Sequence, residues 1–396
     1  MNQSPMFKTY EYVQDPYSFY DEIRSMNTIY RGNFLRYPGW YVTGYEEASL
    51  ILKDIRFQNR VPIPETTQKY EILKNVQKQM MLYKNPPDHN RIRKFVRESF
   101  TPKALKQLIP MIEETAHDLF QNVTSQKKMN VISEFAFPLA SLVIANMLGV
   151  PEKDKGLFRE WALTLIQSID LTRSRESLAK GNETIIAMVA YFKELIQKRK
   201  QDLKDDLISL LLSEDQNGDR LTDEELLSTC ILLVIAGHET TVNLISNSVY
   251  CLLTHPSVYQ KLKETPLLLE SAIEEFLRYE SPTQMTARIA SENVKINQTE
   301  INKGDHVYVF IGAANRDPKH FINANVLDIT RNPNPHLSFG TGIHFCLGAT
   351  LAKIEAQVVI RTVLENTKMI HLETSEVEWR NLTGFRALKE LPIIMT

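Results

Sequence analysis

A single run, Thr222 to Thr254, limits the folds open to this chain. Thr222-Asp-Glu-Glu225 has the form of a capping box, in which the threonine caps a helix and the glutamate reaches back to it. No break follows until His255-Pro256, where the proline pushes the residue before it out of helical geometry. Roughly thirty residues at 1.5 Å each give ~50 Å, enough to cross a whole domain. The middle of the run is apolar on nearly every face, which places it at the centre of a core. Further helical periodicities cover 15–26, 45–53, 88–99, 102–122, 131–147, 154–170, 181–200, 256–263, 266–279 and 348–366. Strand-like segments are fewer: Thr28 to Arg36, Trp40 to Gly44, Val294 to Gln298, Asp305 to Ile311 and Leu391 to Met395. The expected fold is mainly α, a helical bundle around a long central helix with a minor β region.

At 396 residues the chain has room for two average domains or one large one. No repeat, low-complexity tract or Gly/Ser linker divides it, so it reads as a single domain over 1–396. A formal net charge of −2 offers no global field for nucleic acid. Three cysteines exclude a disulfide framework and fit a reducing cytoplasm. The first residues lack the apolar core of a signal peptide. The longest strongly apolar run, Cys230 to Ala236, is far short of the ~20 residues that span a bilayer. A cytoplasmic protein with no membrane anchor is expected.

Chemistry concentrates in Phe339-Gly-Thr-Gly-Ile-His-Phe-Cys-Leu-Gly348, with an alanine-rich helical run from Gly348 to Val358 behind it. Glycines at 340, 342 and 348 permit tight, partly positive-φ turns and the close approach of a flat ligand. Cys346 precedes a helix and so sits at the positive end of its dipole, where a thiolate is favoured. Such a thiolate can be a nucleophile, a zinc ligand or the axial ligand of a haem. The spacing F-x-x-x-x-x-x-C-x-G, with Gly340, Gly342 and His344 inside it, resembles the haem-binding loop of the cytochrome P-450 monooxygenases. In that family the thiolate pushes electron density onto iron and favours O–O cleavage. Other readings explain less. A dinucleotide loop needs G-x-G-x-x-G after a strand, and the two prolines in Arg331 to Ser338 exclude a central strand there. Zinc needs about four clustered ligands, and Cys230 and Cys251 lie far away in sequence. An inert buried cysteine does not account for three glycines and a histidine around it. The resemblance implies haem b, with Cys346 as axial ligand and Phe339, Gly340 and Gly348 against the ring.

Inside the long apolar run lies Ala236-Gly-His-Glu-Thr-Thr241. Glycine in a helix interior costs roughly 1 kcal/mol against alanine, threonine hydroxyls can bend a helix, and a buried glutamate needs a partner or a purpose. A kink with Glu239 in a salt bridge is one account of it. The run also resembles the A-G-x-E/D-T segment over the haem in the same family. That resemblance implies Ala236 and Gly237 beside the haem and a groove at Gly237 and Thr240 that admits dioxygen. It also implies that the Thr240 hydroxyl steadies the activated oxygen and that Glu239 relays protons. His238 and Thr241 read as neighbours rather than actors.

Glu275-Phe-Leu-Arg278 sets a carboxylate and a guanidinium on one helix face. With Asn315-Arg316-Asp-Pro it resembles the family's structural Glu-Arg-Arg triad, which implies Glu275, Arg278 and Arg316. Haem propionates need cations, and arginine suits bidentate carboxylate contacts. The matches are His89 and Arg93, on one side of a helix that begins after Pro86-Pro87-Asp88, then Arg288 and His344, with His336 weaker.

Substrate identity resides in the segments that vary within the family: Arg60 to Met81, Ile169 to Arg175, Val234 to Gly237, Ser281 to Ala287 and Leu382 to Phe385. Their apolar character suits a lipid-like guest. Expected contacts are Ile169, Asp170, Leu171, Thr172, Met285, Thr286 and Phe385. Arg60, Arg173 and Arg175 are candidate anchors for a carboxylate or a phosphopantetheine phosphate. For any one of them the alternative is a solvated surface arginine. Tyr37 to Gly44, Glu134 to Ala140, Ile169 to Arg175 and Arg278 to Arg288 are similar to a Bacillus branch of the family that serves biotin synthesis. This similarity implies oxidation of adjacent in-chain carbons of a fatty acyl chain, free or on acyl carrier protein, then C–C scission to a pimeloyl unit. Electrons would come from a separate flavodoxin or ferredoxin docking near the cysteine loop, with Lys353, Lys103, Lys106 and Arg97 in that face. Three alternatives stand beside this reading: a hydroxylase of a polyketide or other secondary metabolite, a peroxide-driven relative, and a non-enzymatic haem sensor or electron carrier. The Glu239–Thr240 pair argues against the last two.

Overall fold

Residues 9–34, 38–61, 63, 69–170 and 173–396 are described by the structure, a computed structural model. Helix accounts for 58% and strand for 11%, as the periodicities require. The chain divides into two compact units, Met1–Gln58 with Thr115–Ala136 and Thr240–Thr396, and Asn59–Glu114 with Phe137–Glu239.

The first unit is organised by a five-stranded sheet in the order Ile29–Gly32, Gly39–Val42, His306–Phe310, Met285–Ala290, Phe57–Gln58. Gly39–Val42 runs parallel to His306–Phe310, with Tyr41 opposite Tyr308, and the other neighbours are antiparallel. Val42, Val307 and Val309 turn inward onto Ala48, Ile51 and Leu52 of the helix Tyr45–Lys53, and Phe321 joins the same core. Burying a side chain of this size is worth about 1.5–3 kcal/mol. A smaller sheet pairs Pro392–Met395 with Lys128–Asn130 and Ile370–Leu372. The helix Ala349–Asn366 follows the cysteine loop in sequence and, with Leu269–Tyr279, belongs to this unit.

The second unit is helical. Leu157–Ile169 and Arg175–Gln201 lie close because position 181 is glycine: a Cβ there would be 2.6 Å from the Cβ of Ser168. The Leu73 N–H, in the first turn of Glu71–Gln79, donates to Asn182 Oδ1 at 3.2 Å, so Arg175–Gln201 supplies a cap that Tyr70 does not.

The long helix runs Asp223–Thr254, and the capping box is present as expected: Glu225 N–H donates to Thr222 Oγ1 at 3.2 Å and Thr222 N–H to Glu225 Oε2 at 2.9 Å. It is long and apolar enough to cross a membrane by length and composition, yet 78% of its most apolar window is buried in protein. The helix expected over 45–53 forms there. That expected over 181–200 begins at Arg175, where Ser174 Oγ accepts the Ser177 N–H. The one expected over 131–147 opens with a π-helical stretch, Val131–Ala136. Glu71–Gln79 was not expected as a helix, since its start, Tyr70 at φ 65°, carries no side-chain cap. Met285–Ala290, Lys128–Asn130 and Phe57–Gln58 were not expected as strands, and each is held by partners far away in sequence. Leu35 and Arg36, at the end of one expected strand, lie outside the described residues.

Candidate active site

The cysteine loop is a stack of short turns. Gly340 N–H donates to the Leu337 carbonyl at 2.8 Å, Phe345 N–H to Gly342 at 3.1 Å, and Cys346 N–H to Phe339 at 2.9 Å. Gly340 and Gly342 have φ of 67° and 71°, left-handed values that glycine adopts without cost, whereas Gly348, at −84°, does not need them. Gly342 has a second reason to be glycine. A Cβ there would stand 2.7 Å from the Leu52 carbonyl, so the loop rests on the end of Tyr45–Lys53. The helix Ala349–Asn366 starts three residues beyond Cys346, and no side chain caps its first turn.

Among the three cysteines only Cys346 is exposed. Burial pushes the Cys230 thiol up to about 12 and Cys251 well above its ordinary value. A thiolate is therefore accessible at Cys346 alone.

Strand Met285–Ala290 carries Arg288, which is buried. Its Nη1 donates to Thr286 Oγ1 and to the Ala287 carbonyl, both at 2.9 Å. No carboxylate stands within ion-pair distance among the described residues, and burial alone pulls the guanidinium down to about 10. Thr283 bridges to Phe385, and Gln284 N–H donates to the Gly384 carbonyl at 2.8 Å, so the turn Leu382–Phe385 lies beside Met285 and Thr286. Half-buried His344 ends the short turn Gly342–His344.

One stripe of the long helix breaks its burial. Ala236 is exposed and Leu233, Gly237 and Thr240 are half-buried, while Val234, Ile235, His238, Glu239 and Thr241 are buried. The four open positions share one helical face. A Cβ at Gly237 would overlap the side chain of Ile144, so glycine there also makes room for a neighbouring helix. His238 stays neutral, as a neighbour rather than an actor. It lies between Phe137 and Phe158, its Nδ1–H donates to the Val234 carbonyl at 2.6 Å, and burial lowers its pKa to about 4. His89 is buried, its Nδ1 bonded to Asn90 Oδ1 at 3.1 Å, and half-buried Arg93 adds its positive charge to the burial that lowers its pKa.

In the second unit Arg173 donates from Nη1 to the Asp170 carbonyl at 3.2 Å. Its charge opposes the burial that pushes the Tyr83 hydroxyl up to about 12. The Arg175 and Arg60 side chains are exposed, and nothing described joins either to Arg173. Asp170 is buried and Ile169 half-buried, while Leu171 and Thr172 lie outside the described residues. Lys353, expected in a docking face, is held by Glu274 Oε1 at 2.8 Å.

The triad also needs correction. Glu275 and Arg278 pair at 2.7 Å, fully buried, but the third member is Arg331, whose Nε reaches Glu275 Oε2 at 3.1 Å. Arg316 instead donates to the Tyr279 carbonyl, lies 3.5 Å from Glu280, and packs against the Tyr17 and Tyr279 rings at 3.4 and 3.9 Å. The sequence signal for Arg331 was slight, an arginine in the polar Arg331-Asn-Pro stretch.

An exposed cysteine and, in the same unit, a buried guanidinium with no carboxylate beside it among the described residues fit an acid-bearing, metal-centred group. Comparison with known proteins gives the same direction. The family model for cytochrome P450 matches residues 6–265 and 266–393. The chain is 57% identical to the biotin biosynthesis cytochrome P450 of Bacillus subtilis strain 168, over 97% of each protein. It is 35% identical to the polyketide biosynthesis cytochrome P450 PksS of the same organism, over 98% of this chain and 97% of that one. The crystal structure of P450BioI in complex with hexadec-9Z-enoic acid ligated acyl carrier protein superposes with a TM-score of 0.95, covering 98% of this chain and 100% of that one at 57% identity.

Proposed function

The chain belongs to the cytochrome P450 family, and from that premise we propose that it oxidises a fatty acyl chain at two adjacent in-chain carbons and cleaves the bond between them, leaving a pimeloyl unit for biotin synthesis. The chain is a monooxygenase that uses haem b, dioxygen and an external electron donor. The observation that carries the substrate is the 57% identity, over nearly the whole length, to a biotin biosynthesis P450 whose relative has been solved with an acyl carrier protein. Matches that span residues 6–393 support one catalytic domain over 1–396. The bacterial relatives support a cytoplasmic location.

Haem b, bound through a cysteine thiolate, supplies the activation of dioxygen. We assign Cys346 as that ligand, with Phe339, Gly340 and Gly348 shaping the loop around it. Arg288, His344, His89 and Arg93 are the residues that would hold propionate oxygens. Arg288 is the best supported, because a carboxylate would complete a hydrogen-bond set now met only by Thr286 and a carbonyl. Ala236 and Thr240 present the open stripe of the long helix. Thr240 would steady the activated oxygen from that open face, and Glu239 would take part in relaying protons to it. Each hydroxylation consumes one dioxygen, two electrons and two protons and releases one water, and scission of the resulting diol to two carbonyl groups consumes a third dioxygen with two electrons and two protons and releases two waters. The electrons come from a flavodoxin or ferredoxin.

Met285, Thr286 and Phe385 would contact the acyl chain, as would Ile169 and Asp170. Arg173, with exposed Arg60 and Arg175, would offer positive charge to a carboxylate or phosphate. Hydroxylation of a polyketide is the second reading, supported by the 35% identity to PksS. A spectral titration with free and carrier-linked fatty acids, followed by product mass analysis, separates the two. We expect a low-to-high-spin shift with acyl chains and a pimeloyl product. No shift with either acyl form, together with a shift on a polyketide, would reject the fatty acyl reading.

A further inference from the structure

Asn315 is wholly buried and uses every hydrogen-bonding group of its side chain. Its Oδ1 accepts the Leu337 N–H at 2.7 Å, and its Nδ2 donates to Ser281 Oγ and Ser338 Oγ, both at 2.8 Å. Both serine hydroxyls are free to accept, since each gives its own hydrogen to the Leu277 carbonyl, at 2.9 and 2.6 Å. The amide has one tolerable orientation, because the flipped one would set N–H against N–H at Leu337. The backbone carbonyl of Asn315 accepts Arg278 Nη1 at 2.9 Å. Asn315 therefore has the Glu275–Arg278–Arg331 cluster on its main chain and the approach to the cysteine loop on its side chain. Leu337 is pinned at both ends, its N–H by Asn315 and its carbonyl by Gly340. One residue past Ser338, the Phe339 carbonyl accepts the Cys346 N–H.

We propose that Asn315 is a positioning residue for Cys346: it transmits the rigidity of the buried ion cluster to the loop and so fixes the Cys346 backbone in the place from which its sulfur would ligate. The proposal rests on Cys346 being the ligand of the haem. Without the Asn315 amide the Leu337 N–H is buried with no acceptor. The loop then relaxes at Phe339, and the Cys346 backbone loses its fixed position.

The test uses haem-loaded protein, reduced under carbon monoxide, in which thiolate and thiol ligation give well-separated Soret bands. Asn315→Ala is expected to raise the ratio of complex without the thiolate-type band to complex with it roughly tenfold, the equivalent of about one net hydrogen bond, and to move the haem reduction potential. Asn315→Asp keeps the acceptor for Leu337 but loses the donations to both serines, so it should fall between Asn315→Ala and the wild type. Tyr259→Phe removes a buried hydroxyl contact to Thr367 in the same unit and serves as a control for lost stability. If Asn315→Ala does not fold, Ser338→Ala gives the same readout with one contact removed. An Asn315→Ala protein with the spectrum and potential of Tyr259→Phe overturns the proposal. A thiolate-type band persisting in Cys346→Ser overturns the ligand assignment and takes the Asn315 proposal with it.

Discussion

Two buried arginines of one unit, Arg278 and Arg288, are treated in opposite ways. Arg278 has all five guanidinium hydrogens engaged, two by Glu275 at 2.8 and 2.7 Å and three by the carbonyls of Asn315, Ala324 and Val326. Arg288 has partners only at Nη1, and none of them is a carboxylate. A buried cation in a complete set of acceptors is scaffold. One left half-satisfied signals a missing anion, because the low-dielectric interior makes an unpaired charge costly. Glu355 and His238 share that half-satisfied condition: each is buried, and neither Glu355 Oε2 nor His238 Nε2 has a partner among the described residues.

The contrast fails if Arg278→Leu is tolerated. Removing it leaves Glu275 with Arg331 as its cation and strands the carbonyls of Asn315, Ala324 and Val326, and urea unfolding should show a loss of about 3–5 kcal/mol. A loss below about 1 kcal/mol would show that the cluster contributes little to the scaffold.

Glu355 sharpens the comparison through pH. Burial raises its pKa to about 8 from an ordinary 4.5, so the folded state binds a proton that the unfolded state has released. Stability is then fully present below pH 4.5 and is lost as pH rises through 8, by up to about 5 kcal/mol at 1.36 kcal/mol per unit. Glu355→Gln should stabilise the protein at pH 8 and flatten that limb. An unchanged slope between pH 4.5 and 8 would show that the carboxyl has an acceptor or a counter-charge after all.

His238 works in the other direction. Its folded pKa of about 4 lies below the ordinary 6.5, so its contribution is present above pH 6.5 and lost as pH falls toward 4, amounting to about 3 kcal/mol. His238→Phe should remove most of this acid sensitivity in thermal melts. Melting curves that keep the full acid slope would point to other groups.

The smallest expected effect on folding is at Arg288. Arg288→Met should leave the haem-free protein within about 1 kcal/mol of wild type. Haem retention should fall about 10- to 100-fold through loss of one charged hydrogen bond. A large loss of stability in the haem-free protein would place Arg288 with Arg278 and erase the distinction.

Much of this was legible in the chain itself. The capping box at Thr222 and the stop at His255-Pro256 located the long helix to within one residue, since both act over a single turn. The glycines at 340 and 342 were readable as positions needing left-handed backbone. The neighbour of Gly237 was not, because whether a missing Cβ faces open space or Ile144 depends on a helix nearly a hundred residues away.

Sequence alone determined where the helices run and which cysteine can present a thiolate, because periodicity, capping and a helix dipole are interactions between residues a few positions apart. Tertiary structure decided which arginine completes the Glu275 cluster, which one is left without an anion, and that Asn315 joins the cluster to the cysteine loop. Arg316 and Arg331 look alike as letters. The choice between them was made where the chain returns to a buried carboxylate, and only folding brings Arg331 to that point.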